Sequence, residues 1–168
     1  SAWYEQNRAE KERLAALAEE LTESTDWRTT GEAMKRLMDE WKTIGPAGRE
    51  QDDALWTRFR GAQQKFHEAR SSNFAERETQ HKENVVRKEE LCEQAESIAL
   101  RDDMRGAIQE IIDLQAAWKQ VGFIPREQSD ALWRRFKAAC DSVFSHVDLD
   151  REERQHSREQ GQKDAATR

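Results

Sequence analysis

The chain has 168 residues, 37% charged and 36% hydrophobic, and its net charge of −6 excludes a generally basic nucleic-acid module. Sparse strand formers, six tryptophans and only two prolines favour helices with narrow apolar stripes. With two isolated cysteines and no apolar run of about 18 residues, we expect free thiols, no disulfide framework, no membrane span and a cytoplasmic location.

The first predicted unit covers residues 1–75 and holds three apolar stripes with the three- and four-residue spacing of helices. Asp26 is suited to cap the second helix, because its carboxylate can accept hydrogen bonds from free backbone N–H groups. Gly45 follows the last apolar residue of that helix, which predicts a left-handed C-terminal cap. The stripes are Leu14, Leu17, Ala18 and Leu21; Trp27, Met34, Leu37, Met38, Trp41 and Ile44; and Leu55, Phe59, Ala62 and Phe66.

The second predicted unit, residues 76–147, repeats the first at an offset of 77 residues. Between 41–62 and 118–139, 13 of 22 positions are identical, and such fixed-period similarity is typical of tandem structural units. Asp102 or Asp103 is predicted to cap the second helix of this unit, Gly122 to end it, and Pro125 to begin the third. The repeated stripes are Leu91, Ala95 and Ile98; Met104, Ile108, Ile111, Ile112, Leu114, Trp118 and Val121; and Leu132, Phe136, Ala139 and Val143.

Between the two units the sequence predicts one long helix. From Asp52 to about Ala99 there is no proline and a single glycine, Gly61, which predicts a shared helix of about 45–50 residues. Residues 148–168 have almost no apolar face, so we expect a solvated helix or disorder there. The predicted fold is therefore all-α, with two tandem three-helix units joined by a long shared helix in an elongated molecule.

Short motifs rich in tryptophan recur in both units: Thr25-Asp26-Trp27, Trp41-Lys42, Gly45, Leu55-Trp56 and Arg58-Phe59, then Trp118-Lys119, Gly122, Leu132-Trp133 and Arg135-Phe136. These motifs resemble the bacterial domain-of-unknown-function family 349. The resemblance is closer in the second copy, which has Pro125-Arg126 after its glycine where the first has Gly48-Arg49, although Met104 stands where the family prefers tryptophan. It implies a tandem helical-repeat fold and leaves the activity open, because the family has none assigned.

Trp56 and Trp133 lie about 80–90° from the centre of the third-helix stripe, so each faces a separate flank. One interpretation is structural: the ring packs on the glycine loop, and an arginine covers the ring or pairs with the neighbouring aspartate. The other is a binding surface for a partner protein or for single-stranded RNA, whose binders combine aromatic stacking with phosphate-pairing cations. The candidate surface is Arg49, Asp53, Trp56 and Arg60 with Arg126, Asp130, Trp133 and Lys137.

The sequence contains no recognisable catalytic or cofactor motif. Its four histidines are scattered without a zinc-binding pair, and glycine-rich phosphate loops are absent. We therefore expect no enzyme activity, no cofactor, no metal, no membrane contact and no small-molecule substrate. The predicted function is a non-catalytic scaffold or adaptor that binds an unidentified protein partner, and the alternative is an RNA-associated protein.

Overall fold

Five helices account for the fold. The computed structural model describes residues 1–167, and within them it contains α1 (Ala2–Leu21), α2 (Trp27–Trp41), α3 (Arg49–Ala99), α4 (Ala107–Gln120) and α5 (Arg126–Ala166), with no strand. The predicted all-α class is confirmed. None of the described helices is long and apolar enough to cross a membrane.

The chain divides into two compact units, the first spanning Ser1–Arg77 and the second beginning at Glu78. In the first unit, α1, α2 and the beginning of α3 surround one apolar core. The apolar residues predicted for the third helix are all buried, whereas Leu17, predicted for the apolar side of the first helix, is 37% exposed. The largest fully buried side chains of this core are Phe59, Phe66, Leu14 and Met34.

The second unit has its own core, built from the end of α3, α4 and α5. Ile111 is fully buried, but its neighbour Ile112 is 46% exposed, so the expectation that both face the core is wrong. Consecutive helical residues point about 100° apart, and the side of α4 that buries Ile111 and Trp118 turns Ile112 outward. The largest fully buried side chains here are Phe136, Leu91, Ile111, Val143 and Cys92.

The long helix predicted between the two units is present. α3 continues without interruption for 51 residues, three residues earlier at its start than expected. Gly61 lies on its exposed side and does not break it. The charged tail is also helical, since α5 reaches Ala166, and the side chains of 151–167 are exposed.

Two predicted helix starts have different outcomes. Asp26 caps α2 as expected, accepting a hydrogen bond from the backbone N–H of Thr29 at 3.2 Å. The cap predicted at Asp102 or Asp103 is wrong, because α4 begins only at Ala107, after Gly106 with a φ of 75°. The carboxylate of Asp103 instead accepts from the backbone and guanidinium of Arg105, at 2.7 to 3.1 Å. This local turn holds the carboxylate away from the free N–H groups of α4.

The left-handed caps predicted at Gly45 and Gly122 are also wrong, because in the described chain only Gly48 and Gly106 have positive φ. Glycine is required for a different reason. A Cβ on Gly122 would lie 2.9 Å from Nδ2 of Asn84, and a Cβ on Gly45 would lie 2.9 Å from Nδ2 of Asn7. An asparagine amide thus approaches both glycines, and at Gly45 the ring of Trp3 is closer still, at 2.7 Å.

These two asparagines tie the loops to the helices. Nδ2 of Asn7 donates to the carbonyl of Pro46 at 2.8 Å, and Nδ2 of Asn84 donates to the carbonyl of Phe123 at 2.9 Å. Both asparagines are buried, and they are related by the same offset of 77 residues. We call this paired arrangement of asparagine, glycine and loop carbonyl the asparagine clamp.

Gly122→Ala should lower the free energy of unfolding by about 1–3 kcal/mol, because the new methyl group displaces the Asn84 amide and leaves a carbonyl without its partner. Asn84→Ala should have a similar effect, and the double variant should lose little more than either single variant, because all three remove one contact. Urea denaturation of the four proteins measures this coupling.

Gly61→Ala is the matched control. Apart from the adjoining backbone of α3, no atom lies within 4 Å of a Cβ at this position, so the substitution should raise the free energy of unfolding by about 0.5–1 kcal/mol. Additive losses at Asn84 and Gly122 would contradict the clamp.

Candidate partner-binding surface

The eight candidate residues form two short rows on the helices. Arg49, Asp53, Trp56 and Arg60 occupy the first three turns of α3, and their spacing of four, three and four residues places them within about 60° of one another. Arg126, Asp130, Trp133 and Lys137 form the same row at the start of α5. All eight side chains are exposed. We call these exposed rows the first and second stripes, as distinct from the apolar stripes that form the core.

The tryptophan of the first stripe rests on a buried aromatic pair. Trp41 of α2 and Phe59 of α3 stack with centroids 4.4 Å apart and planes inclined by 4°. Trp56 lies 5.9 Å from Trp41 and 6.4 Å from Phe59, and it remains 40% exposed. One side of its ring is therefore supported by the core, and the other side faces solvent.

The second stripe has the same support. Trp118 and Phe136 stack at 4.3 Å and 12°, and Trp133 lies 5.9 Å and 6.4 Å from them. Trp133 is 47% exposed, whereas Trp118 is only 8% exposed. The predicted burial of Trp41 and Trp118 is confirmed, since both have the same low exposure.

The arginine lid predicted over the stripe tryptophan is wrong for the second stripe. The side chain of Arg126 is 95% exposed, and its Nε lies 4.0 Å from the carboxylate of Asp130. Asp130 is one helical turn away and Trp133 is two, so the aspartate is the nearer partner for a flexible side chain. The cations that lie over tryptophan rings are instead lysines, one on α1 and one on α3.

Lys11 and Lys88 occupy these positions, 77 residues apart. Nζ of Lys11 lies 5.5 Å from the centroid of Trp41, and Nζ of Lys88 lies 4.6 Å from that of Trp118. Each ammonium therefore contacts the buried member of the tryptophan pair by a cation–π interaction. Sequence reasoning missed both lysines, although their spacing matches that of the tryptophans.

In the first unit the lysine has a second partner. Nζ of Lys11 lies 2.8 Å from Oδ1 of Asp52, and both oxygens of that carboxylate accept from the backbone N–H of Ala47 at 3.1 Å. The residue equivalent to Asp52 in the second unit is Ser129. Lys11 is thus held by an ion pair that the sequence of the second unit does not repeat.

The arginine two residues after each stripe tryptophan forms an ion pair that is repeated in the two units. Arg58 binds Glu19, and Arg135 binds Glu96, each with a shortest nitrogen–oxygen distance of 2.6 Å. Hydrogen bonds from these arginines lower the pKa of both glutamates below the ordinary value. The four residues obey the offset of 77, which is the signal by which the sequence could have revealed the pairs.

Among residues 1–167, no group of three His, Cys, Asp or Glu side chains could hold a metal ion. Cys92 and Cys140 are free thiols, as predicted, and both are buried. Burial raises the pKa of each thiol above its ordinary value. Both thiols are therefore protonated at neutral pH and are poor nucleophiles.

The two tryptophans of the second unit should differ in their structural importance. Trp118→Ala should lower the free energy of unfolding by about 3–5 kcal/mol, because it removes a buried ring. Trp133→Ala should cost less, about 1–2 kcal/mol, because nearly half of the ring is already in water. Denaturant midpoints compare the two variants, and equal losses would identify Trp133 as a structural residue of the core.

The Lys11–Asp52 pair should make stability depend on pH. Partial burial raises the pKa of Asp52, but hydrogen bonds from Lys11 and Ala47 lower it by more than burial raises it. The pKa of Asp52 in the folded state therefore lies below the ordinary value. Such a carboxylate stabilises the fold above its unfolded pKa of about 3.9, and the contribution disappears as pH falls through the folded pKa.

Asp52→Asn should accordingly destabilise the protein at neutral pH, and its difference from the wild type should shrink below about pH 4. Thermal melts across the acid range measure this difference. Asp53→Asn, a change at the exposed neighbouring position, is the control and should keep the wild-type pH profile. A constant difference for Asp52→Asn at every pH would contradict the ion-pair assignment.

Comparison with known proteins identifies a family for this pair of units. The family model described as Domain of Unknown Function (DUF349) matches residues 2–50 and 54–127. These ranges cover more than half of the chain, but they include only the first two residues of α5, so most of the second stripe lies outside the match. No curated protein and no solved structure matches the chain significantly.

Proposed function

We propose that this chain, which belongs to the Domain of Unknown Function (DUF349) family, is a non-catalytic helical adaptor that binds a partner protein through its two stripes. The observation that carries the proposal is the half-exposed tryptophan of each stripe. Trp56 and Trp133 are 40% and 47% exposed, although a buried aromatic stack holds each of them in place.

A ring in this position is suited to protein recognition. Tryptophan is enriched among the residues that dominate binding energy at protein interfaces. A side chain that is already fixed by its neighbours also loses little rotational freedom when a partner covers it. The packing of Trp56 on Trp41 and Phe59 therefore prepares the exposed side of the ring for contact.

The charged residues of each stripe provide a polar rim around the ring. An aspartate lies three residues before the tryptophan and a cation four residues after it, in both stripes. From its first to its last residue a stripe extends about 16 Å along the helix, a length suited to a short helical or extended segment of a partner. Because the order of charges is the same, we infer that both stripes bind segments of the same chemistry.

RNA is the alternative occupant, since a base could stack on the exposed ring. The charges of the second stripe favour protein. Nζ of Lys137 lies 2.9 Å from Asp141, and Arg126 lies 4.0 Å from Asp130. Cations that already have carboxylate partners release fewer counterions from a bound phosphate chain, and that release supplies much of the affinity for nucleic acid.

A photo-crosslinking residue placed at Asp53 or at Asp130 should capture the same partner protein in cells of the source organism, because each position adjoins a stripe tryptophan. Capture should disappear when Trp56 and Trp133 are both changed to alanine, and it should survive treatment with RNase. The purified partner should then bind the purified wild-type chain directly, as measured by calorimetry.

The matched control places the same crosslinker at Arg158, an exposed position on the tail of α5. A partner captured equally well from Arg158 would contradict recognition by the stripes. Adducts that RNase removes, and that depend on both tryptophans, would favour the RNA alternative.

A further inference from the structure

The first stripe adjoins a row of residues on α2. The row consists of Gly31, Lys35, Met38 and Lys42, whose spacing of four, three and four residues places them on one side of the helix. A Cβ on Gly31 would lie 2.9 Å from Nη1 of Arg70 and 4.0 Å from the ring of Phe66, both on α3. This side of α2 therefore faces α3.

Contacts between α2 and α3 show which part of α3 the two lysines border. Nε2 of Gln63 donates to the carbonyl of Met34 at 2.9 Å, and the ring of Trp41 lies 5.9 Å from that of Trp56. The two lysines directly follow Met34 and Trp41 in sequence. They therefore lie along the part of α3 that runs from Trp56 to Gln63, beside the first stripe.

The combined surface has more cations than acids. Its cations are Lys35, Lys42, Arg49 and Arg60, and its acids are Asp39 and Asp53. All six side chains are exposed, and none of them forms an ion pair within the described part of the chain. Glu50 projects about 120° away from Trp56 around α3 and lies outside this surface. We call Lys35, Met38 and Lys42 together with the first stripe the basic flank.

The basic flank also offers apolar surface. Trp56 is 40% exposed, and Met38 lies half-buried between the two lysines. Four cations against two acids leave an excess of positive charge here, although the net charge of the chain is −6. Complementary charges favour a partner with the opposite sign, and hydrogen bonds between ionised groups are the stronger ones. The surface therefore suits a segment that combines acidic and apolar side chains.

We infer that the protein segment recognised by the first stripe is acidic. An apolar or aromatic side chain of the segment covers the exposed side of Trp56, and aspartates or glutamates before and after it pair with the lysines and arginines of the basic flank. This inference rests on the proposed function, because it assigns the charge of the segment that the stripe binds.

The second unit has the same sign of charge on the equivalent surface, but fewer free cations. Lys119 repeats the second lysine of the basic flank, whereas Ile112, which is 46% exposed, replaces the first. The two cations of the second stripe lie close to Asp130 and Asp141. Three cations against two acids leave a smaller excess, so the same acidic segment should bind the second unit more weakly.

An acidic protein segment fits the basic flank better than a phosphate chain does. Proteins that bind single-stranded RNA follow its backbone with a positively charged groove. Asp53 interrupts such a path, because it lies one helical turn from both Arg49 and Trp56. A peptide can place an uncharged residue opposite this carboxylate, and its backbone N–H groups can donate to it.

Random peptides displayed on phage provide an unbiased probe. Selection on the purified wild-type chain should enrich peptides that combine an apolar or aromatic residue with several aspartates or glutamates. These peptides should not bind the double variant Trp56→Ala with Trp133→Ala. Peptides that require the tryptophans but have no excess of acids would overturn the acidic partner and leave the proposed function standing. A selection without any tryptophan-dependent peptide would contradict both.

The lysines of α2 are tested with the most enriched peptide. The variant Lys35→Glu with Lys42→Glu should bind it at least about ten-fold more weakly in calorimetry, because acids then face acids. Raising the salt from about 0.05 to 0.5 M should weaken wild-type binding several-fold, since exposed charges are screened. Unchanged affinity of the lysine variant, with binding still lost in the tryptophan variant, would contradict this inference alone.

The matched control makes the same total change of charge elsewhere, by Lys65→Glu with Arg158→Glu. Both residues are exposed, and Lys65 projects about 140° away from Arg60 around α3. The affinity of this control should stay within about two-fold of the wild type. A loss as large as that of the lysine variant would show general charge repulsion and contradict binding at the basic flank.

A charge-reversed peptide, in which lysines replace the acids, tests whether the lysine variant is folded and complementary. It should bind Lys35→Glu with Lys42→Glu more tightly than it binds the wild type. A preference of this peptide for the wild type would contradict the pairing.

Two further measurements identify the unit and the class of partner. Trp56→Ala should weaken the acidic peptide more than Trp133→Ala does, because the first unit has more free cations, and the reverse order would contradict the assignment to the basic flank. A uridine oligonucleotide should bind more weakly than the enriched peptide. Tighter binding of the oligonucleotide, lost in the lysine variant, would overturn an acidic protein partner in favour of RNA.

Discussion

The face-to-face stack of a tryptophan on a phenylalanine determines how each unit presents its surface. Trp41 ends α2 and Phe59 lies in the third turn of α3, so their contact fixes the side of α3 that faces α2. Trp56 precedes Phe59 by three residues and therefore lies on the adjoining flank, where it reaches both the stack and the solvent. The half-exposed ring follows from the geometry of the core, and the same reasoning applies to Trp118, Phe136 and Trp133.

Around this stack the two units use partly different polar contacts. Both have a lysine above the buried tryptophan and a helical asparagine that donates to a carbonyl of the loop after that tryptophan, at the common offset of 77. Only the first unit adds Asp52, and its lysine lies 5.5 Å from the ring, compared with 4.6 Å in the second unit. In the first unit, Lys11 therefore interacts with both Asp52 and Trp41. In the second unit, Lys88 contacts Trp118, and Ser129 provides no carboxylate that could compete for it.

The sequence was sufficient to predict the helices, because their apolar spacing and the uninterrupted run through α3 are local properties. It was also sufficient to place Arg49 to Arg60 and Arg126 to Lys137 on matching flanks. It failed where a residue distant in sequence determines the local structure. Gly122 is constrained by Asn84, 38 positions earlier, and no local pattern distinguishes that contact from a left-handed cap. The arginine lid failed because Arg126 had a nearer partner in Asp130.

The repeat also separates two kinds of surface. In the stripes, the order of arginine, aspartate, tryptophan and cation is the same in both units, which suits two binding events of one kind. On the faces formed by the first two helices of each unit, the chemistry differs: Arg36 corresponds to Asp113, and Leu17 to Gln94. Two surfaces that bind the same kind of segment need the same chemistry. Of these two surfaces, only the stripes therefore fit the proposed recognition of one kind of partner segment by both units.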